Sequence, residues 1–158
     1  MTPPAWSDIQ ADLAAALGEG RRAADKAVQD SALAGLAREN NQLAIGKHLH
    51  DAYCAAEKAL ERLVELVDGD IPKGRSFHRD LLRRAALPIE GGRPAMISAA
   101  TAADLDELLG FRHVFRHAYG GFDFAKAWPN VEIAARAIPR LRDEITAFAA
   151  GLGLAPRA

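Results

Sequence analysis

The chain has 158 residues, 49% of them apolar, and carries 20 basic against 21 acidic residues for a formal charge of -1. This length predicts one domain over residues 1–158, and the apolar content excludes a disordered chain. The balanced charge excludes a protein that coats nucleic acid through a basic surface, so any contact with RNA must be local.

The cysteine content and the start of the chain bear on the compartment. Cys54 is the only cysteine, which excludes an internal disulfide, and no Cys/His cluster suggests a structural zinc site. A secretion signal needs a basic stretch before an apolar run, and a membrane span needs about 18 consecutive apolar residues. The sequence has neither. We therefore expect a cytoplasmic protein with no metal, no cofactor and no membrane partner.

Apolar residues recur at helical spacing along almost the whole chain, and no segment alternates as a half-buried strand does. Ser7 or Asp8 is expected to cap the first helix. The second helix is the clearest, because its apolar residues follow one another at steps of three and four. They are Leu49, Tyr53, Ala56, Leu60, Leu63 and Val67. Gly69 and Pro72 predict its end.

Three further helices are predicted. Ser76 is expected to cap a short third helix that closes before Pro88, and Thr101 with Asp104 marks the start of the fourth. The fourth helix is expected to end at Gly120-Gly121, and the last to follow Trp128-Pro129. The last helix contains Pro139, which should bend it. The pattern predicts an all-α fold, a bundle of four to five helices.

Positive charge is concentrated in one stretch of this neutral chain. Between Asp70 and Arg93 basic residues outnumber acidic ones, and Arg112 and Arg116 follow in the fourth helix with no acid between them. Arg79 and Arg83 lie on the outer side of the predicted third helix. The alternative is an ordinary solvated surface.

The segment from Phe111 to Tyr119 places chemical groups on one helix face. At about 100° per residue, one arc is apolar and is expected to be buried. It holds Phe111, Val114, Phe115 and Ala118. The opposite arc holds Arg112, His113, Arg116 and His117, with Tyr119 at its border. Arginine binds phosphate oxygens in a bidentate fork, and histidine transfers protons near neutral pH.

Simpler interpretations of these residues exist. An arginine and a histidine at this spacing occur by chance in many helices, and Tyr119 can be a packing residue. His113 and His117, four residues apart, could together bind a metal, but no third ligand is evident nearby in the sequence.

The Arg-x4-His-x-Tyr pattern of Arg112, His117 and Tyr119, on the penultimate helix, resembles that of the HEPN superfamily. Within it the chain is most similar to the HepT-type ribonuclease toxins. The similarity extends over four other stretches, namely His50 with Tyr53 and Glu57, residues 68–72, residues 76–82 and residues 109–113. Two departures stand out: His113 replaces a frequent asparagine, and Phe77 replaces an expected tryptophan.

The resemblance implies a HEPN-type bundle that forms a homodimer, with a composite, metal-independent endoribonuclease site between the subunits. Arg112 would hold the scissile phosphate, and His117 would act as general acid/base. His113 and Arg116 would support them on the polar face. Arg79 and Arg83 would guide RNA. The expected product is a 2',3'-cyclic phosphate.

The resemblance also implies a partner. Toxins of this type pair with a minimal nucleotidyltransferase antitoxin, which attaches AMP to the motif tyrosine, here Tyr119, and so blocks RNA binding. The alternative within the superfamily is a non-catalytic HEPN module that binds nucleotide or RNA and regulates a nucleotidyltransferase.

Overall fold

The computed structural model describes residues 3–118 and 121–155, and this part of the chain contains five α-helices and no strand. The helices are α1 (Pro4–Gln29), α2 (Gly35–Asp68), α3 (Phe77–Ala86), α4 (Ala99–Arg116) and α5 (Phe124–Gly151). A short 3-10 turn (Asp30–Ala32) joins α1 to α2. The predicted all-α class is confirmed.

The core lies between α1 and α2, which pack along each other, with α5 covering both. The apolar stripe predicted on α2 is buried from Leu49 to Leu63, and Val67 is partly buried. α2 ends at Gly69 as predicted: this residue has a φ of 83°, in the left-handed region that glycine adopts without strain. The chain then turns into α3, which packs on α2 and α4.

Three helix starts differ from the prediction. α1 begins at Pro4, before Ser7, because proline is favoured in a first turn and because Trp6, only 2% exposed, belongs to the core. The cap of α4 is Ser98, whose Oγ accepts a hydrogen bond from the Thr101 amide at 3.1 Å. α5 begins at Phe124 because the Asp123 carboxylate accepts from the Ala125 amide.

The connector between α3 and α4 is held by a buried arginine. The Arg93 guanidinium donates to both carboxylate oxygens of Asp68, at 2.6 and 2.8 Å, and to three backbone carbonyls. Its side chain is 5% exposed. Arg93 therefore does not add to the exposed positive charge of this region, because its guanidinium is buried and stabilises the connector.

Among the helices of the described ranges, none has the length and apolar character that crossing a lipid bilayer requires.

Candidate functional site

The last two turns of α4 carry the polar face predicted for residues 111–119. Arg112 is partly buried, and its polar neighbours are exposed. These neighbours are His113, Arg116 and His117. On the opposite arc Phe111 is buried and Phe115 partly buried, but Val114 is 44% exposed, so the expectation that Val114 is buried is wrong. The physical reason is that α2 covers the side of α4 that carries the phenylalanines.

A cluster of aromatic rings fixes this end of α4. Phe122, beyond the helix, packs edge-on against Phe115 with ring centroids 5.3 Å apart and also contacts Phe111. Both Phe115 and Phe122 lie against Gly46 of α2. α4 ends at Arg116 and not at Gly120-Gly121 as predicted, with His117 as its cap. The chain must leave the helix for Phe122 to return to this cluster.

Tyr119, the predicted site of AMP attachment, lies outside the residues that the structure describes. Its predicted position beside Arg112 stays a prediction.

Arg112 is held through one atom of its guanidinium. Nε donates to the Cys54 Sγ of α2 at 3.3 Å, and sulfur is a weak acceptor. The described residues place no carboxylate in an ion pair with Arg112. Its terminal nitrogens are therefore suited to bind an anion from outside the protein.

His113 and His117 lie one above the other at the end of α4. Their ring centroids are 4.4 Å apart, and the His117 Nδ1 lies 2.8 Å from the His113 carbonyl oxygen. A carbonyl can only accept, so Nδ1 carries the proton, and the lone pair of the neutral ring is on Nε2. No group of three His, Cys, Asp or Glu side chains suited to a metal occurs within the described ranges.

A groove of about 370 Å³ runs between the start of α3 and the end of α4. One wall is formed by Arg112 and His113 together with Leu109 and Gly110. Across it lie Arg75, Ser76, His78 and Arg79. Three cationic side chains, Arg75, Arg79 and Arg112, thus line one concavity.

The structure separates the two arginines predicted to guide RNA. Arg79 lines the same groove as Arg112 and forms an exposed ion pair with Asp106 at 3.3 Å. Arg83 pairs with Asp80 at 2.9 Å and lines a different concavity. Arg75 lines the groove, whereas Arg83 does not, although Arg83 and not Arg75 was predicted as a site residue.

A hydrogen-bonded network beneath the groove was also missed. The Glu57 Oε2 accepts from the Tyr53 hydroxyl at 2.6 Å and lies 2.6 Å from the His78 Nδ1. Burial, reinforced by the negative charge of Glu57, raises the pKa of Tyr53 well above its usual value, so the phenol stays a donor. The four-residue spacing of Tyr53 and Glu57 on α2 signals their contact, but no local pattern links them to His78.

A family model described as HepT-like protein matches residues 44–152, a range that contains the whole groove and the three motif residues. The chain belongs to the HepT-like family. It is thus a member of the HEPN superfamily, and its helices form the HEPN-type bundle that the motif predicted. No curated protein and no solved structure matches this HepT-like chain.

Proposed function

We propose that this HepT-like protein is the toxin of a toxin-antitoxin pair and a metal-independent endoribonuclease. The observation that carries the proposal is Arg112, whose terminal nitrogens bond to no described acceptor at the wall of a groove, on the same helix end as His117. Family membership supports this type of activity.

The chemistry requires a cation and a proton carrier. The ribose 2'-OH attacks the adjacent phosphorus, the bond to the 5'-oxygen breaks, and a 2',3'-cyclic phosphate and a 5'-OH remain. The guanidinium of Arg112 binds the phosphate oxygens, where negative charge increases in the transition state. The His117 imidazole transfers a proton, which typically contributes about 10² to 10⁴ in rate.

The RNA backbone follows the cationic groove. Arg75 and Arg79 lie opposite Arg112, so that successive phosphates contact arginines on both walls. The His113 ring lies against that of His117 and limits its movement, and exposed Arg116 adds charge outside the groove. Arg83 contacts RNA only beyond the groove.

The active form is a homodimer in which the two α4 ends face each other and complete the site. Val114 supports this assembly. It lies between His113 and His117 in the sequence, and its apolar side chain is 44% exposed. Contact with a second α4 would remove it from water.

Loss of RNA cleavage in His117→Ala tests the proposal. Purified wild-type protein is expected to cleave RNA in the presence of a chelator and to leave a 2',3'-cyclic phosphate, detected by mass spectrometry of the fragments. The variant should be slower by about 10² or more, because the proton carrier is gone. His117 is exposed, so the fold should survive the change.

His48→Ala is the matched control, since His48 pairs with Glu19 between α1 and α2, away from the groove. It should cleave like the wild type. Full activity of His117→Ala would overturn the mechanism. RNA binding without cleavage by the wild type would favour the non-catalytic module.

A further inference from the structure

His78 and Glu57 form a second polar pair at the groove, and the proposed chemistry does not use them. The Glu57 side chain is 11% exposed, whereas that of His78 is 37% exposed. The short contact between Oε2 and Nδ1, at 2.6 Å, therefore joins a nearly buried carboxylate to an imidazole that solvent and substrate can reach.

A second hydrogen bond links the pair to the core of the protein. The Tyr53 hydroxyl donates to the same Glu57 oxygen, and Tyr53, on the buried face of α2, is only 1% exposed. Because Nδ1 of His78 is engaged by the carboxylate, Nε2 is the nitrogen that remains for another partner. The ring also lies edge-on against Phe77, with centroids 5.3 Å apart.

His78 shares its groove with the phosphate-binding arginine. Arg112 and His113 line the opposite wall, and His113 contacts His117. A phosphate bound to Arg112 in this groove would thus lie between the His78 imidazole on α3 and His113 on α4, with the His117 ring next to that of His113, at 4.4 Å between centroids. Cleavage of RNA needs two proton transfers, one from the attacking 2'-OH and one to the leaving 5'-oxygen.

Resting on the proposed function, we infer that His78 is a second catalytic residue, the general base for the attacking 2'-OH. Its Nε2 takes the proton of the hydroxyl while the oxygen bonds to phosphorus. His117 gives a proton to the 5'-oxygen as that bond breaks. His78 thus gains one proton and His117 loses one in the cleavage step, and proton exchange with water restores both histidines before the next turnover.

The contact with Glu57 favours the role of general base over that of general acid for His78. A carboxylate that accepts from Nδ1–H leaves the lone pair of the neutral ring on Nε2, ready to accept a proton. The same carboxylate stabilises the imidazolium that forms. This is the arrangement by which a buried acid supports a histidine base.

The experiment compares His78→Asn with His117→Ala on two substrates. One is an RNA oligonucleotide, and the other is uridine 3'-(p-nitrophenyl phosphate), whose leaving group departs without a proton. The asparagine side-chain NH₂ can replace Nδ1–H toward Glu57, so the network and the fold persist while the base is lost. Thermal melting monitors folding.

His78→Asn should slow both substrates by about 10² or more, because the 2'-OH must lose its proton in each. His117→Ala should slow the RNA but spare the activated ester. Glu57→Gln should also slow the cleavage of both substrates, by a smaller factor than His78→Asn. His48→Asn is the control, since its Nδ1 also lies 2.6 Å from a glutamate, Glu19, away from the groove, and it should keep full activity.

Two results separate this inference from the proposed function. Wild-type activity on RNA in His78→Asn, or recovery of its rate on the activated ester, would overturn the base role and leave the endoribonuclease in place. If the wild-type protein cleaves neither substrate, both the base role of His78 and the proposed endoribonuclease function are overturned.

Discussion

The same residue type has opposite roles in this protein according to what surrounds it. Arg93 uses its guanidinium on Asp68 and on backbone carbonyls, and 5% of its side chain is exposed. Among the residues that the structure describes, Arg112 donates to one acceptor, the Cys54 sulfur, through Nε. The first arginine is satisfied by the protein and stabilises it, whereas the terminal nitrogens of the second bond to no described acceptor and, under the proposed function, bind phosphate.

Arg93→Ala should lower the free energy of unfolding by about 3 to 5 kcal/mol, because it leaves the Asp68 carboxylate buried without its partner. Urea denaturation measures this loss. Arg83→Ala is the control: its ion pair with Asp80 is exposed, and its removal should change stability by about 1 kcal/mol or less. Equal stabilities of the two variants would contradict a structural role for Arg93.

At the level of helices, the close approach of α2 to α4 positions the motif. Gly46 is the point of contact: a Cβ there would lie 2.7 Å from the Phe115 Cε2 and 3.0 Å from the Phe122 Cζ. Because Gly46 has no side chain, the aromatic cluster can pack directly on α2. This contact positions the end of α4, which carries His117.

Gly46→Ala should destabilise the fold by about 1 to 3 kcal/mol, because the two rings must move to admit the methyl group. It should also reduce RNA cleavage by displacing the end of α4. Gly18→Ala is the matched change, since no atom lies within 4 Å of its Cβ, and alanine is favoured over glycine in a helix by up to about 1 kcal/mol. Melting curves that move in the same direction for both would refute the packing argument.

Asp104 connects α4 to α5. Its carboxylate accepts from Arg136 at 2.9 Å and from Arg140 at 2.6 Å. The hydrogen bond from Arg136, then that from Arg140, holds the pKa of Asp104 below its usual value in spite of partial burial.

Because the folded-state pKa lies below the unfolded one, the stabilisation by Asp104 should be fully present at neutral pH. It should decline below about pH 4, as the carboxylate takes up a proton. Urea midpoints of wild type and Asp104→Asn should therefore differ near neutrality and converge in acid. The exposed Asp143→Asn should follow the wild type throughout. A difference that does not change with pH would contradict the assignment.

At the scale of the whole molecule, a chain with a formal charge of -1 concentrates cationic groups along one groove. Under the proposed function, this local positive charge attracts RNA without a basic surface, and it also makes the groove sensitive to added negative charge. Under the proposed function, attachment of AMP to Tyr119, which follows Arg112 and His117 in the motif, would add such negative charge.

Co-expression with a minimal nucleotidyltransferase should add the mass of one or more AMP groups to this chain, with Tyr119 as the acceptor, and should suppress RNA cleavage. Intact-mass spectrometry detects the addition, and Tyr119→Phe should abolish it. Tyr53→Phe should not, since Tyr53 is buried. An unmodified chain from an active pair would exclude this form of regulation.

The sequence predicts the all-α fold class, the buried stripe of α2 and the Arg112/His117 pattern. Each depends on spacing along a few turns of one helix, and such spacing is a local property that the backbone geometry converts directly into a face. The left-handed end of α2 at Gly69 is local in the same sense.

Packing between distant segments accounts for the rest. Whether Arg93 is buried, whether Val114 is covered and where α4 ends depend on which helices lie alongside, and no local pattern specifies that. The pairing of Glu57 with His78 joins residues 21 positions apart on different helices. Helical periodicity indicates which face of each helix turns inward, but it does not indicate which side chain of another helix that face will meet.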